Sequence, residues 1–301
     1  MTETSDRRFL IQESFLDGRV LRIKLNRPEV RNAQNRGLLV ELDTALTEAE
    51  KDDRIRVIIL GGVGASFSAG HDLGSAQAIA EMGGGPQRHP SFDEHGGTRP
   101  GVERIILQEW HYFYQNTLRW RDLRKFTIAQ VQGPVLAAGL MLAWACDLIV
   151  AADDATFADV VGARLGGMGV EYFGHPFELG PRRAKELLVT GDAIDADEAH
   201  RIGMVSKVFP VKDLDARTLE FAERIATLPS VTSLLIKEAV NQAVDNMGFL
   251  NSLRQSFQIH QLMHAHWSSV NDDGFPVAKP EHGVADWRKP PPIRLATKDV
   301  P

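Results

Sequence analysis

The sequence predicts an α/β fold: a core of strand–strand–helix units followed by a mainly helical C-terminal portion. Two observations predict it. Strand-length apolar runs alternate with helical segments through the first half of the 301 residues, and helical spacing dominates after about residue 170. A third observation concerns chemistry. Small-residue turns follow strands at Ser66–Leu73 and Gly133–Asp147, where a peptide N–H can point into a cleft.

The elements follow in order. Phe9–Ser14 and Arg19–Asn26 flank Asp17-Gly18, a hairpin signal. Leu38–Ala49 has apolar residues at helical spacing, with Glu41, Asp43 and Glu48 facing out. Ile55–Leu60 is a buried-strand run closed by Gly61-Gly62. Residues Gly74–Gly101, with consecutive glycines at 83–85 and prolines at 86 and 90, predict a mobile loop or lid. A helix over Val102–Arg121, a strand over Thr127–Val131, a helix over Ala137–Ala145 and a strand over Asp147–Ala151 come next. Helices are then expected at Phe173–Glu178, Arg182–Thr190, Ala196–Arg201, Asp213–Ala226, Ser230–Asn246 and Phe249–Trp267. The Pro-rich tail, Asn271–Pro301, is expected to cross a surface or drape on a neighbour. These elements divide into a core over residues 1–210 and a helical region with tail over 211–301.

Composition narrows the function classes. A formal net charge of −6 argues against a nucleic-acid surface. The N-terminus lacks the apolar run of a signal peptide, and no stretch is apolar enough to predict a membrane span. Cys146 is the sole cysteine, so no intramolecular disulfide can form, which fits a cytoplasmic protein. Within its apolar segment it reads as core filler rather than a nucleophile.

Two N–H groups aimed at one point stabilise an oxyanion, at roughly 2.7–4 kcal/mol per donor. The two small-residue turns therefore predict an acyl-transfer or enolate site built from main chain, with side chains added around it. The residues at and near these turns resemble the crotonase superfamily, the enoyl-CoA hydratase/isomerase family, over roughly Phe9–Trp267. The marks are Asn26-Arg27-Pro28 with Asn32-Ala33, then Phe67-Ser68-Ala69-Gly70-His71-Asp72-Leu73. Gly133, Ala137-Ala138-Gly139, Cys146-Asp147, Thr190-Gly191-Asp192 and Gly203-Met204-Val205 with Val208 complete them. The resemblance implies a crotonase-type spiral of ββα units with a C-terminal α-helical trimerisation region. It implies a homotrimer or hexamer and an acyl-CoA thioester as ligand, with no cofactor besides the coenzyme A of the substrate. It places the two oxyanion amides on His71 and Ala138, and the coenzyme A contacts around Arg31, Ala33, Ala69, Asp72 and Leu73. A thioester has an acidic α-carbon, and its enolate puts charge on one oxygen. The same donors thus serve several reactions, chosen by the surrounding acids and bases.

Here the chain departs from the resemblance. The two glutamates of typical hydratases fall on Met141 and on Val161 or Gly162, none of which can move a proton; Met141 is left as a substrate contact. Glu171 is the leading acid/base candidate, because active-site aspartates of dienoyl-CoA isomerases and halobenzoyl-CoA dehalogenases lie at or next to its place. It also heads a predicted helix, where the dipole favours a carboxylate regardless of catalysis. Asp159 either reaches the pocket or caps a turn. Asp72 is expected to order its own turn, and the His71 imidazole adds a lesser chemical candidate. His175 shares a face with Glu171 if the helix runs on.

His260 and His264 also share a helix face, followed by His266. A metal would need a third ligand there and His-Glu-x-x-His is absent, so an exposed or interface face and no metal are expected. Trp110–Tyr114 either fills core or walls the acyl pocket. Arg119, Arg121, Arg124, Lys125 and Lys237 either meet a phosphate or sit at solvated helix ends. The activity expected is hydration or isomerisation of an unsaturated acyl-CoA. Hydrolysis, retro-Claisen cleavage and acyl-CoA binding without catalysis are the alternatives.

Overall fold

The computed structural model describes residues 8–78 and 93–296. Most of the glycine- and proline-rich part of the expected lid lies outside them. The chain opens with β1 (Leu10–Phe15), β2 (Val20–Leu25), α1 (Arg36–Lys51) and β3 (Val57–Gly62). Then come α2 (Gly101–Glu109), a π-helical turn (Trp110–Gln115), α3 (Asn116–Arg121), β4 (Phe126–Val131), β5 (Pro134–Leu136), α4 (Ala138–Trp144), β6 (Leu148–Ala152) and β7 (Thr156–Ala158). The last stretch is α5 (Val161–Leu165), α6 (His175–Glu178), α7 (Pro181–Thr190), β8 (Ile194–Asp195), α8 (Ala196–Arg201), β9 (Lys207–Phe209), α9 (Leu214–Ala226), α10 (Ser230–Asn246) and α11 (Phe249–Val270).

The hairpin turns through Leu16, Asp17 and Gly18, all at positive φ. Beyond it the sheet is parallel, in the order β1-β2-β3-β4-β6-β9, and β5-β7-β8 form a smaller sheet. Ile58 and Leu60 of β3 pack into one core with Ile23, Ala129 and Ile149. Val57 and Ile59 pack into a second with Ile128, Val150 and residues Leu214, Ala222 and Ala226 of α9. Burial on both faces is why β3 and β6 read as unbroken runs without a polar residue. It also makes α9, grouped by sequence with the C-terminal region, the cover of the sheet's second face.

Three local expectations change. The helix expected over Val102–Arg121 contains the π turn at Trp110–Gln115. Helix α6 starts at His175, so Glu171 stands in a bend before it rather than at a helix head. The tail packs back on this chain. Ala278 N–H donates to Leu165 O at 2.9 Å, Ala285 N–H to Ala163 O at 3.0 Å and Ala296 N–H to Ala193 O at 2.8 Å. No helix among the described residues is long and apolar enough to cross a membrane.

Candidate active site

A cavity of about 640 Å³ opens between the turn at Ala69–Gly74, helices α2 and α11, and the tail. Its backbone wall comes from two segments running side by side. Ser68 bridges Val135, and Leu136 N–H donates to Ser68 O at 3.0 Å. This approach needs missing side chains. A Cβ on Gly70 (φ 91°) would lie 2.9 Å from Leu136 O, and one on Gly139 would lie 2.6 Å from Ser68 O. Ala137 takes φ 46°, ψ −117°, a strained conformation for a residue with a side chain. The outcome is two peptide N–H groups, those of His71 and Ala138, with no hydrogen-bond acceptor among the described residues.

Ionisable side chains gather deeper in. Glu171 Oε2 lies 3.2 Å from His71 Nε2, and Glu171 Oε1 lies 3.6 Å from His260 Nε2. The His71 ring stacks on Phe113 with centroids 3.5 Å apart. Glu109, at the end of α2, approaches His260 Nε2 at 3.6 Å and His264 Nε2 at 3.3 Å. Gln261 Nε2 donates to Glu109 Oε2 at 2.7 Å. Nδ1 of His260 faces Gly169 O at 2.9 Å, and Nδ1 of His264 faces Pro276 O at 2.8 Å. A carbonyl only accepts, so both Nδ1 atoms carry protons and both Nε2 atoms face the carboxylates.

Burial opposes charge on Glu109, Glu171, His260 and His264, and the pairings overcome it. His260 and His264 hold Glu109 well below the usual carboxylate range. His71 and His260 hold Glu171 below it. Glu109 and Glu171 carry His260 up to about 9.

The enoyl-CoA hydratase/isomerase profile matches residues 16–90 and 106–275 of this chain. The chain belongs to the enoyl-CoA hydratase/isomerase family. It is 58% identical to EchA13 of Mycobacterium tuberculosis, a protein assigned by name to the enoyl-CoA hydratases, over 97% of this chain and 92% of that one. It is 32% identical to 4-chlorobenzoyl coenzyme A dehalogenase-2 of an Arthrobacter species, over 80% of each chain. The crystal structure of a probable enoyl-CoA hydratase from Mycobacterium smegmatis superposes with a TM-score of 0.78 at 44% identity, over 90% of this chain and 99% of that one. The fold is therefore the crotonase type, with its C-terminal helical region.

Within this enoyl-CoA hydratase/isomerase fold, the residues singled out by sequence separate into groups. Ala69, His71, Asp72, Leu73 and Glu171 line the cavity. Asp72 also orders its turn: it pairs with Arg27 at 2.7 Å and accepts from Ser75 Oγ at 2.6 Å. Arg31 and Ala33 are not on the lining; Arg31 O accepts from Ala69 N–H, and Ala33 O accepts from the Arg27 guanidinium. Met141 is buried in the main core away from the cavity, whereas Val161 forms part of its wall.

Asp159 belongs to a turn rather than to the cavity. Its oxygens accept from Val161 N–H and Val170 N–H, both at 2.9 Å, and meet His175 Nε2 at 3.0 Å. His175 thus pairs with Asp159, not with Glu171, because the backbone before α6 is not helical. His260 and His264 are buried against the cavity instead of forming an exposed or interface face; His266 alone is exposed. The aromatic run splits: Tyr112 and Tyr114 fill core, Phe113 walls the cavity, and Trp110 is 43% exposed. The basic residues are engaged elsewhere, Arg119 with Asp43, Arg121 with Asp245, Arg124 with Glu238, Lys237 with Asp147, and Lys125 with the Asp52 carbonyl. Burial pushes the Cys146 thiol up to about 12, so it is no nucleophile.

Sequence reasoning missed Glu109 and the tail residues Phe275, Val277 and Trp287, all on the lining. No motif marks them. Glu109 ends one helix and faces histidines more than a hundred residues away, which only folding brings together.

Proposed function

We propose that this chain binds an acyl-CoA thioester in the cavity and hydrates or isomerises an unsaturated acyl group through an enolate. The thioester oxygen accepts from the N–H groups of His71 and Ala138, which stabilise the charge that develops there. Coenzyme A enters along Ala69, Asp72 and Leu73. Glu171 exchanges the proton at the α- or γ-carbon, or with water attacking the β-carbon. His71 Nε2 fixes the Glu171 carboxylate from one side and His260 from the other. Isomerisation needs only one such group, which carries the proton from one carbon to the other.

The observation that carries this reading is the Glu171 carboxylate on the cavity wall, 3.2 Å from the side chain of the same His71 whose peptide N–H has no acceptor among the described residues. With Met141 withdrawn into the core and Val161 apolar, Glu171 takes over the proton transfer. We further propose assembly as a homotrimer or hexamer through α10. Its Val231, Leu235, Ile236 and Val240 are each more than half exposed in the single chain.

Single-turnover assays of wild type and Glu171→Gln with a panel of enoyl-CoAs, product followed by mass, test the reaction. Turnover by wild type that is lost in the variant, with acyl-CoA binding retained, is expected. Tight binding without turnover across short, long and cyclic acyl groups would instead make the chain a binding protein. Release of free acid or of a ring-opened product would make it a hydrolase or a retro-Claisen enzyme.

A further inference from the structure

We propose that Glu109, His260 and His264 form a site for a divalent transition metal, such as Zn²⁺ or Mn²⁺, opening on the cavity. One carboxylate oxygen of Glu109 and one nitrogen from each histidine lie within 4.8 Å of one another, and all three residues are buried. Imidazole and carboxylate ligands suit these ions. Ligand bonds of about 2.0–2.2 Å put neighbouring ligand atoms about 3.3–3.6 Å apart in a tetrahedral site. Glu109 offers one oxygen to each ring: Oε1 lies 3.3 Å from His264 Nε2 and Oε2 lies 3.6 Å from His260 Nε2, each within that spacing.

Three further features separate this cluster from a set of ion pairs. His264 Nε2 is buried 3.3 Å from a Glu109 oxygen yet has no hydrogen-bond partner among the described residues, so the nitrogen is aimed past that oxygen. Both Nδ1 atoms are fixed by backbone carbonyls, Gly169 O and Pro276 O, which presents Nε2 of each ring inward. Gln261 holds the Glu109 carboxylate at Oε2, the oxygen that also faces His260. Outer partners of this kind orient the ligands of metal sites. Glu171 Oε1, 3.6 Å from His260 Nε2, stands where a fourth ligand would. The two carboxylates balance a divalent cation. The protons that the histidines hold in the metal-free cluster are released when it binds.

Chelator-treated protein would be given Zn²⁺ alone, and separately Co²⁺ alone. Isothermal titration, metal content after gel filtration and the visible absorption of Co²⁺ are the readouts. One equivalent per chain is expected, with Zn²⁺ shifting the imidazole proton resonances of His260 and His264 but not those of exposed His266. His264→Ala and Glu109→Gln are each expected to weaken binding at least ~100-fold, and Gln261→Leu roughly tenfold; His266→Ala is expected to leave it unchanged. Sub-stoichiometric Zn²⁺ after gel filtration, affinity indifferent to His264→Ala and Glu109→Gln, or unmoved His260 and His264 resonances would each overturn the site. The resonance experiment uses wild type only, so it decides the matter even if a variant fails to fold. None of these readouts depends on acyl-CoA turnover, so failure of the site and failure of the proposed reaction are distinguishable.

Discussion

Asp159 shows how one buried carboxylate can serve a site without touching it. It ties Val161 N–H and Val170 N–H together, closing the turn that delivers Glu171 one residue later, and it pairs with buried His175. Removing it leaves a buried imidazole and two N–H groups without acceptors. Asp159→Ala is therefore expected to cost about 3–5 kcal/mol in urea unfolding. Burial disfavours the Asp159 charge, but His175 and the two N–H groups outweigh it and depress the pKa below its ordinary 3.8. A depressed carboxyl contributes stability that is present above the unfolded value and lost as pH falls through the folded one. Unfolding free energy should fall as pH drops below about 4, and Asp159→Asn should flatten that limb. A limb identical to wild type would show that other carboxylates govern acid unfolding.

At the scale of elements, the separation of the two free N–H groups depends on how closely α4 packs against Ser66–His71. Gly139 sets that distance, because its missing side chain leaves Ser68 O only 2.6 Å from where a Cβ would stand. Gly139→Ala should push α4 away and displace the Ala138 N–H. Turnover is expected to fall roughly 100-fold, the loss typical of one oxyanion donor, while circular dichroism stays native. Unchanged kcat would mean that the two segments tolerate the shift and that the donors are not the pair we assign. The opposite wall carries the π turn at Trp110–Gln115. It is a single wide turn within a long helix, of a kind often found at functional sites, and Glu109 and Phe113, four residues apart on one face, both line the cavity there.

Across the whole molecule, the cavity is completed by the tail. The Trp287 ring lies against Gly74 at the turn, and Phe275 and Val277 close the side beside His264. Trp287→Ala should weaken acyl-CoA binding about tenfold, equivalent to about 1.4 kcal/mol of lost contact, as read by titration with a non-turning-over acyl-CoA. Equal affinity would place the ligand away from the tail. The exposed apolar face of α10 belongs to this scale too. Sedimentation should report three or six chains, and Leu235→Lys, which puts a charge on a 58%-exposed leucine, should reduce the mass to that of one chain.

Much of the fold was legible because local pattern and global burial agree. Strands β3 and β6 are apolar on both faces, and α1, α7 and α10 have helical periodicity long enough to read. The shortest strands, β5, β7, β8 and β9, offer two or three residues each, too few for any period to declare itself. The turn at Ser66–Leu73 was legible because glycine is demanded where main chains touch, and Glu171 because it follows a glycine-rich turn at a recognisable place. Tertiary structure alone decided the partners. Asp159 and His175 found each other, the α11 histidines turned inward to Glu109, and the tail folded back over the cavity. Each of these joins residues far apart in sequence, and no short-range pattern records a contact whose strength comes from burial and convergence of distant segments.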